Sequence, residues 1–548
     1  MKKGILLVSL ISAVMSLGLL SSCGETTSQS SNTTSGGSSS EDTTINEDDG
    51  PNFDTSTLVD DVEYDDDGNI IYDGVQVKMW SIVGSPDDVV FKQLIQKFNK
   101  EYIGQINLNV IYQGHFDYYS ALDTTWANDF DSVPDVCFMH NEKTTEYENK
   151  GYLYPLDYSS NGGETIADKS NTNLDFDQIY DNIERVTLFK NHRFAVNVDA
   201  HGFITSIRQD IIKKNGLGFD DNTRYIPQSR AEYQSLLEGL RAKAVDGTLL
   251  TRDIRKGNNH AWKTANANTF FPEYNQSTDP DGLGALYANG GNMCNSDGTQ
   301  VTFHENEGFQ TYITDQVNRW NNKLMGAPGT NTESFGAGNV VMFAEGPWWI
   351  GQTYDPQFNN SDLTTAGSLG VTEEDASDPV YSRPLVASHP DSWWTLPENM
   401  SGEHGNRWYG NGHAISITRH VTSMTKASAI MEFIKWFTQG QDSEGNYNLS
   451  TWTTGGHLPA WKNVYDSEGY QALKATNVTL QALGDPNDII AMEGLAYEST
   501  IFSGLESSIS SVQAQLATSA GCTVEQALQI LEETAASTQA ALESLIYD

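Results

Sequence analysis

"VQVKMWSIVGSPDDVVFKQLIQKFNKEYIGQINLNVIY" (75–112) contains a strand, a helix and a second strand in one continuous run. Apolar residues alternate in "VQVKMW" (75–80) and again in "INLNVIY" (106–112), which is the period of a β-strand. Between them, a Ser-Pro-Asp-Asp start precedes apolar residues at helical spacing: Phe91, Leu94, Ile95, Phe98 and Tyr102. The run therefore predicts a strand–helix–strand unit.

This alternation continues along the chain. "YYSALDTTWAND" (118–129) predicts a second helix, and "VPDVCFM" (133–139) predicts a buried strand. Strands that alternate with helices at this spacing form a parallel sheet covered by helices. Further strands are predicted in "RFAVNVDAHGFITSI" (193–207), "NVVMFAEGPWWI" (339–350) and "HAISITR" (413–419). We expect an α/β fold with a mostly helical C-terminus, whose last helix begins at a capping box formed by Thr523 and Gln526.

The N-terminus has the pattern of an export signal that ends in a lipid anchor. Lys2 and Lys3 precede an apolar run, residues 4–20, that is shorter than the roughly 20 residues needed to span a bilayer. "LSSC" (20–23) resembles the lipobox of bacterial lipoproteins, whose cysteine is diacylated. We expect a lipoprotein signal peptide over 1–22 and lipidation at Cys23. The alternative is an ordinary signal peptide followed by an incidental cysteine.

Residues 23–67 contain little that could form a core. Ser, Thr, Gly and Asn come first, acidic residues follow, and no Lys or Arg occurs between Lys3 and Lys78. Low hydrophobicity with charge of one sign cannot offset the entropy lost on ordering. We expect a disordered Ser/Thr/acidic tether over 23–67, with the globular part beginning near residue 73.

The chain carries a formal net charge of −41 and contains four cysteines. Such acidity argues against binding to nucleic acid or to anionic lipid. Beyond Cys23, the remaining Cys137, Cys294 and Cys522 are far apart in sequence and odd in number. We therefore expect no disulfide framework.

Several short motifs occur in an order that is typical of one family. The most specific is "VPDVCFM" followed by "YENKGYLYPLD" (147–157). The others are "DYYSAL" (117–122), "NGGNMCNSDGTQVTF" (289–303), "VVMFAEGPWWI" (340–350), "TTGGHLPAWKNV" (453–464) and "GCTVEQAL" (521–528). From about residue 73 to its end, the chain resembles the family 1 extracellular solute-binding proteins, the sugar-capturing lipoproteins of ABC importers.

This resemblance implies a two-lobe, periplasmic-binding-protein-like fold. Its two α/β lobes are discontinuous in sequence, are joined by hinge crossings and close on a ligand between them. By analogy, lobe one comprises 73–198 plus 405–453, and lobe two comprises 199–397 plus 454–548.

Ligand-binding residues are then expected where strands end or where the chain crosses between the lobes. Sugars need flat aromatic rings against their apolar faces and polar side chains for their hydroxyls. The candidates are Trp80, Ser81, His140, Asn141, Asp199, His201, Glu345, Trp348, Asp391, Trp393, Gly456 and His457.

Each candidate also has a purely structural interpretation. Tryptophan rings most often pack in a core. Asp199 or Asp391 could cap a turn, and Gly456 could meet a backbone requirement. A single histidine is more often a satisfied structural residue than a ligand contact.

Motifs of common enzyme classes do not occur in the sequence. It has no G-x-S-x-G, no H-E-x-x-H, no G-x-x-x-x-G-K-[ST] and no paired C-x-x-C. We therefore expect a binding protein rather than an enzyme, with no metal ion and no cofactor. A glycosidase stays open as an alternative, because its two carboxylates need not be near in sequence.

The expected function is capture of a carbohydrate, specifically an oligosaccharide, and its delivery to the permease subunits of an ABC transporter. The expected location is the outer face of a bacterial cell membrane, Gram-positive in type, with the protein held as a monomer by its lipid anchor. Two alternatives remain: the same fold binding a peptide or polyamine, and a surface glycan hydrolase or adhesin.

Overall fold

The computed structural model describes residues 53–547 except 86, 116, 161, 276–277, 327–331, 348–362, 364, 368, 390, 397–407 and 492–493. The predicted signal peptide, Cys23, most of the expected tether and Trp348 lie outside the described residues.

The first lobe contains a five-stranded sheet, called sheet one. In spatial order its strands are Ile106–Tyr112, Val75–Ser81, Val136–His140, His413–Ile417 and Val196–Asn197. The first three are parallel, as predicted, because a helix connects each to the next. His413–Ile417 runs antiparallel to both of its neighbours, so the sheet is mixed and Val196–Asn197 has the same direction as the first three strands.

The second lobe contains a four-stranded sheet, called sheet two. In spatial order its strands are Phe271–Asn275, Val340–Glu345, Ile204–Arg208 and Leu385–Ser388. The first pair is parallel and the other pairs are antiparallel. Glu345, the last residue of its strand, lies opposite Ile204, the first residue of the strand that follows the crossing from sheet one.

Short strands mark the region where the chain passes between the two sheets. Asp199–Ala200 pairs antiparallel with Leu458–Pro459, and Trp408–Gly410 pairs parallel with Ile489–Ala491. A single bridge joins His201 to Asn411. Residues 198–203 therefore lie beside two later parts of the chain, and we call them the first crossing. Two further short pairs join Leu250–Thr251 to Lys263–Thr264 and Leu188–Phe189 to His192–Arg193.

Helices cover both sheets. Those of eight or more residues are Asp87–Glu101, Tyr118–Asn128, Arg230–Val245, Thr278–Ala288, Glu307–Asn321, Met424–Gln439, Glu468–Thr476, Glu498–Leu516 and Val524–Tyr547. The shorter ones are Thr144–Asn149, Ile166–Lys169, Asp181–Glu184, Gln209–Lys214, Thr332–Gly336, Glu373–Ser377, Pro379–Ser382, Asp391–Trp394, Asn448–Trp452, Lys462–Tyr465 and Val478–Leu483.

The C-terminus is mostly helical, as the sequence predicts. Its last two helices pack against each other and against Thr278–Ala288 and Glu307–Asn321 of the second lobe. The predicted capping box is present: the Thr523 amide donates to Gln526 Oε1 at 2.9 Å, and the Gln526 amide donates to Thr523 Oγ1 at 3.2 Å. The α/β, two-lobe fold is therefore confirmed, while the exact borders of the lobes stay a prediction.

The structure corrects the C-terminal end of the expected disordered tether. Phe53 is buried beneath Tyr158 and Phe194, and Val59 forms a bridge with Ser423. Asp61 accepts a hydrogen bond of 2.8 Å from the Thr425 amide, in the first turn of the helix Met424–Gln439. Residues 53–67 thus pack along the folded chain, because a few apolar anchors and helix-capping carboxylates compensate for their polar composition.

Among the described residues, no helix combines the length and the apolar character needed to cross a membrane.

A buried charged network fixes the start of the second lobe. Arg208, Asp210 and Arg252 are each fully buried. Asp210 accepts hydrogen bonds of 2.9 and 3.0 Å from Arg208 and one of 2.8 Å from Arg252. One carboxylate therefore serves two guanidinium groups that have no access to water.

We expect Asp210→Asn to lower the free energy of unfolding by about 3–5 kcal/mol, because two buried cations lose their counter-charge. Urea unfolding followed by circular dichroism measures this change. Asp220→Asn is the matched control, because Asp220 pairs with Arg224 at the surface and its loss should have little effect. Equal effects of the two variants would contradict the role given to the network.

Buried carboxylates also lie near the contact between the two lobes. Glu142 is 4% exposed, and burial raises its pKa to about 7 although Lys143 opposes the shift. Its other charged or titratable neighbours include His140 and Glu498. A carboxyl group whose pKa is raised in the folded state stabilises the fold below its unfolded pKa and loses that contribution as the pH rises through 7.

Glu142→Gln should therefore stabilise the protein at pH 8 by on the order of 2 kcal/mol, and by less at pH 5. Thermal melts at the two pH values measure the difference. Glu164→Gln, at an exposed position, is the control that should show no such dependence. A Glu142→Gln variant that is destabilised equally at both pH values would refute the assignment.

Candidate ligand-binding site

A cavity of about 270 Å³ opens at the carboxyl-terminal edge of sheet one. In α/β sheets, ligands bind in the crevice outside the carboxyl ends of the parallel strands. The residues that line the cavity are Ile82, Val83, Gly84, Ser85, Asp87, His115, His140, His201, His413 and His457. Half of them are histidines, although the whole chain contains only 11.

Strand pairing explains how two of these histidines meet. His140 is the last residue of its parallel strand, and His413 is the first residue of the antiparallel strand beside it. The two are directly opposite in register, and their ring centroids are 5.4 Å apart. The edge of sheet one therefore presents a pair of imidazoles to the cavity.

The first crossing supplies a carboxylate that is completely buried. Asp199 Oδ1 accepts a hydrogen bond of 2.8 Å from the His413 amide, and Oδ2 lies 3.0 Å from His413 Nδ1. The indole of Trp452 also donates to Asp199 Oδ2. Gly412 permits this close approach, because a Cβ there would collide with the Asp199 carbonyl oxygen. Asp199 thus joins the first crossing to the strand His413–Ile417, which we call the returning strand.

His457 also lies beside Asp199, and it belongs to residues 453–457, which we call the late loop. Gly456 precedes it with φ of +105°, a conformation that favours glycine. The His457 ring stacks on Trp452 at 4.9 Å, and its Nε2 lies 3.2 Å from Asp87 Oδ2. Its Nδ1 faces His201 Nδ1 at 3.3 Å. The late loop therefore places His457 between the first crossing and the start of the helix Asp87–Glu101.

Burial and neighbouring charges set the protonation of these groups. Burial alone would raise the pKa of Asp199, but the His413 and His457 imidazoles hold that pKa well below its usual range. Burial lowers the pKa of His201 to about 4 and that of His140 well below its ordinary value. For His457, burial acts in the same direction, but the Asp199 and Asp87 carboxylates outweigh it and raise the pKa.

One of the sequence candidates, Asn141, supports the crossing through its side-chain amide. Asn141 follows His140 and donates from its side-chain amide to Asn197 Oδ1 at 3.0 Å. Its Oδ1 accepts from the Gly412 amide at the same distance. Asn141 therefore connects the end of the strand Val136–His140 to Val196–Asn197 and to the residue before His413–Ile417. This is a structural role.

The structure brings three candidates to the cavity wall, His140, His201 and His457, and a fourth, Asp199, lies beside the rings of His201 and His457. Gly456 lies beside them and against Pro347. Glu345 is 6% exposed and accepts a hydrogen bond of 2.8 Å from the Gly346 amide. Asp391 begins a short helix, but its side chain is outside the described part of the chain.

Three other candidates lie within the protein interior. Trp80 is 6% exposed and packs edge-on against Tyr118, and Ser81 is fully buried beneath the start of the cavity. Trp393 is 1% exposed, stacks on Tyr233 at 4.8 Å and donates its indole N–H to the Pro227 carbonyl at 2.8 Å. In this structure the two tryptophans are core residues, so neither offers a ring face to a ligand.

His115, Asp87 and His413 also line this cavity, although they were not among the residues predicted from the sequence. His115 is exposed at the cavity, and its ring centroid is 5.1 Å from that of His140. The signal for His413 was available, since it begins a predicted strand, but its register beside His140 follows only from the antiparallel pairing.

A larger groove, of about 560 Å³, is lined by residues between Asp157 and Phe176. None of its lining residues belongs to the first crossing or to the ends of the parallel strands. The histidine-lined cavity is therefore the better candidate for a ligand site.

Comparison with known proteins agrees with this architecture. The sugar-binding protein MalE of Xanthomonas citri is 14% identical, with a TM-score of 0.59 over 86% of this chain and 99% of that one. The GacH receptor of Streptomyces glaucescens is 15% identical, with a TM-score of 0.58 over the same shares. A cyclic α-maltosyl-1,6-maltose binding protein of Arthrobacter globiformis is 15% identical, with a TM-score of 0.56 over 85% and 99%.

These likenesses establish the fold alone, because the identities are low. No curated protein sequence matches the chain significantly. A family model described as bacterial extracellular solute-binding protein matches residues 93–478. Because that match spans most of the chain, the protein belongs to the bacterial extracellular solute-binding protein family.

Proposed function

We propose that this protein captures a carbohydrate, specifically an oligosaccharide, and delivers it to the permease of an ABC transporter. The observation that carries the proposal is the histidine-lined cavity at the crossing between the two lobes, where this fold binds its solutes. Similar structures support the choice of ligand: the GacH receptor was solved with acarbose and an acarbose homologue, and the Arthrobacter protein is a cyclic maltosyl-maltose binding protein.

The cavity wall has the chemistry to hold sugar hydroxyls. Imidazoles both donate and accept hydrogen bonds, and the Asp87 carboxylate accepts them. His115 and His140 retain exposed surface at the cavity. Neutral imidazoles suit an uncharged ligand, and the partial loss of solvent around each ring at the cavity wall lowers the pKa of both. We assign these two histidines to ligand hydroxyls.

Trp348 remains the proposed stacking residue, although it lies outside the described residues. It follows Pro347, which borders Gly456 beside the cavity. A tryptophan at this position could cover the apolar face of a pyranose ring. Glu345 and Asp391, at the ends of elements of the second lobe, remain proposed partners for hydroxyls.

Hinge closure is the proposed mechanism. A ligand that contacts both lobes stabilises the closed arrangement by its differential affinity for that state. The permease would then distinguish the closed form from the open one by its surface, and no chemical step is needed. A lipid on Cys23 would keep the protein at the outer face of the membrane, within reach of its transporter.

A panel of oligosaccharides tests the ligand class. We expect at least one α-linked glucan to raise the melting temperature of the full-length protein and to bind with one-to-one stoichiometry by calorimetry. Chromatography should recover the sugar intact. Binding only of peptides or polyamines would refute the carbohydrate assignment, and cleaved sugar would refute the assignment as a pure binding protein.

His140→Ala should weaken binding of the best sugar at least about tenfold, because a hydrogen-bonding group at the cavity wall is lost. His192→Ala is the matched control: this half-buried histidine lies beside Asp157, outside the cavity, and its loss should leave affinity unchanged. Equal affinities of the His140 variant and the wild type would exclude this cavity as the sugar site.

A further inference from the structure

Four side chains at the first crossing form a cluster of metal-ligand type. Asp199, His201, His413 and His457 are all buried, and each contributes one ligand atom to a group whose members all lie within 4.8 Å of one another. They come from three separate parts of the chain. Only the fold brings them together, which is why sequence spacing gave no sign of a metal site.

The distances match those around a tetrahedral ion. Zinc bonds of about 2.0–2.1 Å in tetrahedral geometry place ligand atoms roughly 3.3 Å apart. His201 Nδ1 and His457 Nδ1 are 3.3 Å apart, and Asp199 Oδ2 is 3.0 Å from His413 Nδ1. Asp199 Oδ1 lies 3.7 Å from His201 Nδ1, and Asp199 Oδ2 lies 3.7 Å from His457 Nδ1. Because the four ligand atoms all lie within 4.8 Å of one another, small side-chain shifts would bring the wider pairs to the spacing found around one ion.

The surroundings hold these ligands in place. His457 Nε2 lies 3.2 Å from Asp87 Oδ2, which is the carboxylate–histidine arrangement that orients a metal-binding imidazole through its other nitrogen. Asp199 is oriented by hydrogen bonds from the His413 amide and the Trp452 indole. His201, His413 and His457 also line the cavity, so an ion has a path to the cluster.

We infer that Asp199, His201, His413 and His457 bind a divalent transition-metal ion at the hinge. Three imidazole nitrogens and one carboxylate oxygen favour Zn²⁺, and with it Co²⁺, Ni²⁺ or Cu²⁺, over the oxygen-seeking Ca²⁺ and Mg²⁺. The bound ion joins the first crossing to the returning strand and the late loop. This site departs from the expectation of a metal-free protein, and it does not depend on which solute the lobes capture.

Zinc titration of the full-length protein, after treatment with a chelator and dialysis, tests the site. Calorimetry with zinc sulfate should give one-to-one binding, and the melting temperature should rise with zinc. Cobalt should produce the visible absorption of a four-coordinate ion. Calcium and magnesium chloride should bind at least about 100-fold more weakly than zinc. Absence of stoichiometric zinc binding would overturn the inference.

Variants separate these ligands from other histidines. His457→Gln removes a ligand and should weaken zinc binding at least about 100-fold, while Asp87→Asn removes only its orienting partner and should weaken it about 10–100-fold. His420→Gln is the control, since His420 pairs with Asp135 away from the cavity, and it should bind zinc normally.

Circular dichroism of each metal-free variant checks that it is folded. If His457→Gln does not fold, the milder Asp87→Asn variant still gives a decision. Unchanged zinc affinity in a folded Asp87 or His457 variant would refute the assignment.

Discussion

The buried carboxylate of Asp199 is the constraint on which the crossing between the lobes depends. A charge without access to water is costly unless its environment compensates it. Here the compensation comes from the His413 amide and ring, the Trp452 indole and the nearby imidazoles of His201 and His457. His201 lies in the first crossing itself, His413 begins the strand His413–Ile417, and Trp452 and His457 belong to a later segment. Satisfying one carboxylate therefore holds three distant parts of the sequence at one place.

In the proposed mechanism, that place is also the hinge. In a two-lobe binding protein the crossings absorb the change in backbone angles while each lobe stays rigid. Hydrogen bonds within each lobe are consistent with rigid lobes on either side of the crossing. In the first lobe Asn141 connects strands of sheet one, and in the second Asp210 binds Arg208 and Arg252 at the start of sheet two. The histidine-lined cavity lies between these fixed points. A solute, and in our inference a metal ion, would thus act directly on the hinge.

The fold was largely readable from the sequence, because periodicity is a local property. The strands at 75–81 and 106–112 and the helix between them follow from alternation and helical spacing alone. Several polar residues of the candidate site could also be predicted, since His140, Asp199, His201 and His457 each lie where a strand ends or the chain turns. What could not be predicted was their grouping, which depends on the antiparallel register of His413 beside His140. The aromatic candidates were predicted from position too, because Trp80 and Trp393 also lie near strand ends or crossings. Position alone could not show that their rings are buried, packed against Tyr118 and Tyr233.

The central claim is that two lobes close on a ligand about a crossing centred on Asp199. Small-angle X-ray scattering of the full-length protein, with and without a saturating amount of the oligosaccharide that stabilises it most, tests this claim most directly. Closure of the lobes should give a smaller radius of gyration in the bound state. Calorimetrically saturated protein whose radius of gyration is unchanged would contradict it.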